Sequence, residues 1–339
     1  MEKLKELVTV FLKDETDYLE LTKAVEDLNK LVIESSGLNL QDTKNRENIH
    51  ADTGMALGTS WAAMCIKDII RTKQFIKGVF EAIENARRNK SGTVNILYAG
   101  TGPFATLLLP ALASYSPEEI QCVLLEINTK SFLVMQQLIE NLGFKAHVRQ
   151  FVNEDATTYR IHKDHDIDIL VSETMQRALE HEQQVPIMMH LIPQLKPEAL
   201  VIPENITLEL GLMDIGQFLS QRASAHEESY HKLGVFYELT KEAVLKWNSE
   251  SKKLDGDFHF PKATFKISNK SASKFRELVV RTGITVFGNT KILINESGLT
   301  TPLILDALPK GNEDLSITIH YKVDKKPGLV YELTKLPTS

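Results

Sequence analysis

Between residues 94 and 202 the chain alternates short apolar runs with amphipathic helical patterns, an order that few folds accept. Residues 94–98, 121–126, 147–151, 167–172 and 199–202 read as buried strands, and 105–114, 130–142 and 185–195 as helices. Strands joined through helices pair in parallel, so the expectation is an α/β unit: a Rossmann-like sheet with helices on both faces. Pro203 closes it.

The flanks carry other periods. Leu4, Leu7, Val8 and Phe11, then Leu19, Leu21, Val25, Leu28, Leu31 and Val32, fall at helical spacing and predict two helices ending near Gly37. They read as a candidate lid or docking module, or simply as cover for the core. Residues 41–48 are polar and read as a linker. A further helix is expected from Ser60 as N-cap, with Ala63, Cys65, Ile66, Ile69, Ile70, Phe75, Ile76, Val79, Phe80 and Ile83 on its buried face. After Pro203, alternating segments at 207–212, 258–267, 277–287, 291–294, 303–306, 315–323 and 329–333 predict an antiparallel β-barrel or sandwich. A helical insertion is expected at about 215–250, with polar residues 220–229 as cover for a partner or a second subunit. The expected division is 1–48, a helical N-terminal segment; 49–203, the Rossmann-like domain; and 204–339, the β-barrel-like domain.

A chain of 339 residues fits two or three such substructures. Its net charge of −6 and pI near 6.0 offer no general attraction for nucleic acid or an anionic membrane, and neither partner is expected. Cys65 and Cys122 lack a CxxC or Cys/His companion, so both read as buried structural thiols and no metal site is expected. No stretch of 18 apolar residues and no signal-peptide run occurs, so a cytoplasmic, soluble chain is expected.

The chemistry concentrates at two places. Ala99-Gly-Thr-Gly102 follows a strand and opens a helix, where glycines let the backbone turn sharply and approach a ligand closely. Glu126 ends the next strand, placed to accept hydrogen bonds from ribose hydroxyls. Pro103 and Phe104 stand where a dinucleotide fingerprint carries its third glycine, which disfavours a pyrophosphate. S-adenosylmethionine, with a ribose and no phosphate, fits better than NAD. Glu154 and Asp155, past the third strand, are candidates to meet an adenine amino group, with a solvated turn as the equal alternative.

The second place is Ser172-Glu-Thr-Met-Gln-Arg-Ala-Leu-Glu-His-Glu182. Glu173 sits at the carboxyl end of the fourth strand, where open α/β sheets bind ligands, and Glu182 follows nine residues on. Two converging carboxylates suit a cationic or hydrogen-bond-donating substrate, and their repulsion calls for something positive to offset it. His50 and His181 are candidate bases nearby, with a surface position as the plainer reading.

Taken together, Ser172-Glu-Thr-Met175, Leu179 and Glu182 resemble the double-glutamate loop of the protein arginine methyltransferases. Residues 194–203 resemble the strand that follows it, and Ile66-Lys-Asp-Ile-Ile-Arg-Thr72 is similar to that family's cofactor helix. Residues 312–320 resemble a late barrel strand, and Ser297-Gly-Leu-Thr-Thr-Pro302 takes the place of the threonine-histidine-tryptophan loop. The resemblance covers about 50 to 323. It implies that Arg71, Ala99, Gly100, Thr101, Gly102, Glu126, Glu154 and Asp155 bind S-adenosylmethionine. It implies further that Glu173 and Glu182 hold the substrate and that a homodimer forms.

The departures lie on the substrate side: the tyrosines before the cofactor helix have no counterpart in residues 48–58. Thr174 replaces a common aromatic, and the loop at 297–302 has neither His nor Trp. The implied activity is methyl transfer to N or S of a peptide, protein or peptide-derived natural product, without specifying arginine. A catalytically silent S-adenosylmethionine-binding or assembly subunit is the alternative.

Overall fold

A computed structural model describes residues 2–220, 229–250, 258–309, 311 and 313–336. The chain begins with α1 (Glu2–Phe11) and α2 (Tyr18–Ser36), the second capped by Asp17 and ended by Gly37 in the left-handed region. Leu4, Leu7, Phe11, Leu21 and Leu28 join the same apolar core as the sheet, so these helices cover the core. Two three-residue strands, β1 (Ile49–Ala51) and β2 (Gly54–Ala56), form a hairpin.

The expected helix from Ser60 is two helices. Here α3 (Thr59–Met64) follows Gly58 and passes into a 3-10 turn, Cys65–Lys67; then α4 (Ile69–Asn89) starts afresh. Asp68 makes the break, because its side chain accepts from the Arg71 N–H and caps α4. Ser60 is therefore not the N-cap; it lies inside α3, buried.

The alternating region then runs β3 (Val94–Ala99), α5 (Leu109–Ser114), β4 (Ile120–Leu125), α6 (Thr129–Asn141), β5 (Val148–Val152), β6 (Ile169–Ser172), α7 (Gln184–Leu191) and β7 (Leu200–Ile202). All pairings are parallel, in the order β5-β4-β3-β6-β7. Counted within the sheet this is 3-2-1-4-5, the doubly wound order whose direction of progression reverses between β3 and β6. At that switch point crossovers diverge to opposite sides and leave a crevice at the strands' carboxyl ends.

Beyond Pro203 come β8 (Asn205–Met213), α8 (Ile215–Ser220), β9 (Tyr230–Thr240), α9 (Lys241–Glu250), β10 (Phe258–His259), β11 (Ala263–Ile267), α10 (Asn269–Lys274), β12 (Glu277–Phe287), β13 (Thr290–Ile292), β14 (Leu303–Ala307), β15 (Leu315–Val323) and β16 (Gly328–Lys335). They form two antiparallel sheets, one of β13, β14, β12, β8 and β9, the other of β10, β11, β15 and β16. Residues 215–250 are not helical throughout: β9 intervenes as an 11-residue strand. It pairs with β8 through two bulges and has only two buried residues, which blurs the alternation a strand shows in sequence. The predicted polar cover at 220–229 lies largely outside the described residues. The expected strand 258–267 is split in two around Pro261, which has no N–H to give a ladder.

Helix α4 joins the two units, packing on β3, β6 and β7 and also on β12 and β13. Gly78 permits this, since a Cβ there would come 2.5 Å from Val286 Cγ1. No described helix is long and apolar enough to cross a membrane.

Candidate active site

The switch-point crevice is a cleft with ≈ 930 Å³ of empty space, its open mouth included. Its wall is continuous from the turn after β3 to the loop after β6. Gly100 (φ 75°) and Gly102 (φ 60°) both lie in the left-handed region, which carries the chain from strand toward helix without a Cβ in the way. Against Gly100 lies Thr174: a Cβ at 100 would stand 2.2 Å from Thr174 Cγ2.

Glu126 closes the far side. It is 5% exposed; its Oε2 accepts the Gly102 N–H at 2.7 Å and its Oε1 the Asn128 N–H at 2.8 Å. Burial pushes its carboxyl up, and the Asn128 and Gly102 N–H groups pull it back. The Ile127 N–H and the Thr101 side chain lower it further. The same turn is secured by Asn153, whose amide donates to the carbonyls of Glu126 and Ile127.

The same cleft holds an ion-pair cluster. Arg71, on the first turn of α4, donates to Glu173, 102 residues away in sequence. The side chains are 14% and 4% exposed, so this pair is sheltered from water. Glu182, 7% exposed, lines the same cleft. Burial raises the Glu173 carboxyl to about 7, against the pull of Arg71 and with a further push from Glu182 and Asp68. Burial likewise raises Glu182 to about 7, while Arg71 and the Gln176 side chain oppose it. Desolvation disfavours the Arg71 cation, but Glu173, Cys65 and Glu182 outweigh it and hold Arg71 charged. The guanidinium is thus the positive group that the paired carboxylates require. Glu173 Oε1 is buried with no hydrogen-bond partner, an acceptor facing a ligand-sized space.

The second unit reaches this cluster through Asp68. While Oδ1 caps α4, Oδ2 accepts Ser297 Oγ at 2.6 Å and the Gly298 N–H at 2.9 Å. The loop at 297–302 is therefore fastened to the turn that carries Arg71.

Of the predicted residues, Arg71, Gly100, Thr101, Gly102, Glu126, Glu154, Glu173 and Glu182 line the cleft. Two do not. Ala99 is buried as the last residue of β3, its side chain packed in the core. Asp155 Oδ1 accepts from the N–H and Oγ1 of Thr157 and so serves a local turn. His50 and His181 are exposed and lie off the lining, as the plainer reading had it.

Sequence reasoning missed several lining residues. Cys65 is not a wholly buried structural thiol: it is part-exposed, lines the cleft and neighbours Arg71, Glu173 and Glu182. Burial pushes the thiol up and Arg71 pulls it down. Met55 of the hairpin, Tyr98 at the end of β3, Thr174 and Gln183 also line the cleft. Cys122, by contrast, is buried in β4 as expected.

Comparison with known proteins gives likeness in structure alone. No family model and no curated sequence matches the chain. Among solved structures it is similar to the PRMT1 enzyme-prozyme heterotetrameric complex of Trypanosoma brucei with AdoHcy. That match has 12% identity and a TM-score of 0.48, and covers 80% of this chain and 96% of that one. It is also similar to PRMT6 with SAH, at 10% identity and a TM-score of 0.48, covering 76% of this chain and 96% of the other.

Proposed function

We propose that this chain is an S-adenosylmethionine-dependent methyltransferase acting on N or S of a peptide, protein or peptide-derived natural product. The observation that carries the reading is one cleft at the switch point whose lining brings together the glycine turn, Glu126, Arg71, Glu173 and Glu182. The residues present fit this cofactor. Glu126 lines the cleft at the end of β4, where a carboxylate suits ribose hydroxyls, and the positive-φ glycines allow close backbone approach. Arg71 has N–H donors beyond the one given to Glu173, which suit a carboxylate. When bound, S-adenosylmethionine supplies an electrophilic sulfonium methyl.

The chain's own part is positioning and proton transfer. Glu173 Oε1 and Glu182 accept hydrogen bonds from the nucleophile and fix its approach. Carboxyls held near 7 are half in the accepting form at neutral pH, so either can take the proton that the nucleophile sheds. Both carboxylates are sheltered, the Glu173 side chain at 4% exposure and Glu182 at 7%.

Calorimetric titration with S-adenosylmethionine tests the shared foundation, and absence of binding refutes it. Incubation with labelled cofactor and peptides rich in Arg, Cys or His tests the reaction. Glu173→Gln is expected to abolish transfer. Binding without transfer to any acceptor class favours the silent subunit.

A further inference from the structure

The loop that carries Glu182 is held in a shape its own sequence disfavours. Ala178 (φ 54°), Leu179 (φ 58°) and His181 (φ 67°) all lie in the left-handed region, where a Cβ crowds the following carbonyl. Three such residues within four positions persist only where the surroundings over-determine them.

The surroundings that do so belong to the antiparallel sheets. Thr282 Oγ1, on β12, accepts the Ala178 N–H at 2.9 Å. The Tyr321 hydroxyl, on β15, donates to the Leu179 carbonyl at 2.7 Å. Beyond them, the Pro327 carbonyl, in the turn to β16, accepts the His181 N–H at 2.8 Å. The hairpin adds one bond from outside, Met55 N–H to the His181 carbonyl at 2.9 Å. Thr282 and Tyr321 are each 1% exposed, so water offers no substitute partner.

We infer that Tyr321 and Thr282 are positioning residues for Glu182: the second unit sets the catalytic carboxylate by clamping the backbone just before it. The inference rests on the methyltransferase reading for its kinetic consequence and not for its geometry. Neither side chain lines the cleft, so each acts through the loop. Tyr321 sits in an aromatic cluster with Tyr237 and Phe260, ring centroids 4.9 and 5.9 Å away. Removing only its hydroxyl leaves that packing in place. Tyr237 supplies the matched control, because its hydroxyl is buried in the same cluster with no hydrogen-bond partner.

The test uses the full chain with Tyr321→Phe, Thr282→Val, Thr282→Ser and Tyr237→Phe. The first readout needs no cofactor: carbon-13 NMR titration of the Glu182 carboxyl, assigned with Glu182→Gln. Tyr321→Phe and Thr282→Val are expected to move its midpoint down toward an ordinary carboxylate, as the loop lets water in. Thr282→Ser, which keeps the acceptor, and Tyr237→Phe are expected to leave it in place. The second readout is kinetic: the first two variants lose about ten-fold or more in kcat, with the S-adenosylmethionine Kd unchanged.

An unchanged Glu182 midpoint in both Tyr321→Phe and Thr282→Val overturns the inference, whatever the chain binds. So does an equal shift in Tyr237→Phe, which would mark a general packing effect. Failure of the wild-type chain to bind S-adenosylmethionine overturns the methyltransferase reading alone, and the NMR titration still decides the clamp.

Discussion

Glu182→Gln should make the protein more stable, and only above a definite pH. The Glu182 carboxyl, ordinarily near 4.5, is raised to about 7 in the folded chain. A group whose folded value is raised contributes stability that is complete below about pH 4.5 and is lost as pH climbs through about 7. At 1.36 kcal/mol per pKa unit, full ionisation inside the cleft costs about 3 kcal/mol at pH 8, against under about 1 kcal/mol at pH 5. Gln keeps the shape and avoids that cost, and it leaves the Arg71–Glu173 pair in place. Guanidinium unfolding of both proteins at pH 5 and pH 8 measures the difference. The variant should nearly match the wild type at pH 5 and exceed it by about 3 kcal/mol at pH 8, while losing methyl transfer. A stability difference equal at the two pH values would refute the view of Glu182 as a desolvated carboxyl, and with it the argument for a base tuned to neutrality.

Three further outcomes follow from the same geometry. Arg71→Met strips Glu173 of its counter-charge in a dry site and should destabilise the fold by about 3 kcal/mol at pH 8, with partial recovery at pH 5 as Glu173 takes a proton; the same unfolding titrations read it. Gly100→Ala drives a Cβ into Thr174 Cγ2 and strains a positive φ, so the melting temperature should fall, with part of the loss returned in a Thr174→Ser background. Glu126→Gln sets an amide N–H₂ against the N–H of Gly102 or Asn128 and should weaken S-adenosylmethionine about ten-fold or more by calorimetry.

Much of the fold was legible because it is written in local period. Strands β3, β4 and β6 are apolar runs buried on both faces, and helices α1, α2 and α6 show one apolar stripe, so each element declares itself within a dozen residues. The elements that stayed hidden lack such a signal. The hairpin strands β1 and β2 have only three residues each, and β9 is a bulged edge strand. The break before α4 hides behind an apolar stripe that continues from Ala63 through Ile66 to Ile70.

The site divides along the same line. Sequence alone determined the glycine turn and the acidic residue ending the next strand, since a strand-turn-helix unit fixes both within one short stretch of chain. It also placed Glu173 at the carboxyl end of β6, through the strand pattern that precedes it. Only the tertiary structure decided what those groups become. Arg71 meets Glu173 because α4 crosses the sheet, and Cys65 enters the cleft because Asp68 breaks the helix behind it. Glu182 takes its position because side chains on β12 and β15, 100 and more residues downstream, hold its loop in a left-handed path. Periodicity reports what each residue does for its own segment; charge state and aim depend on neighbours that only the folded chain brings within reach.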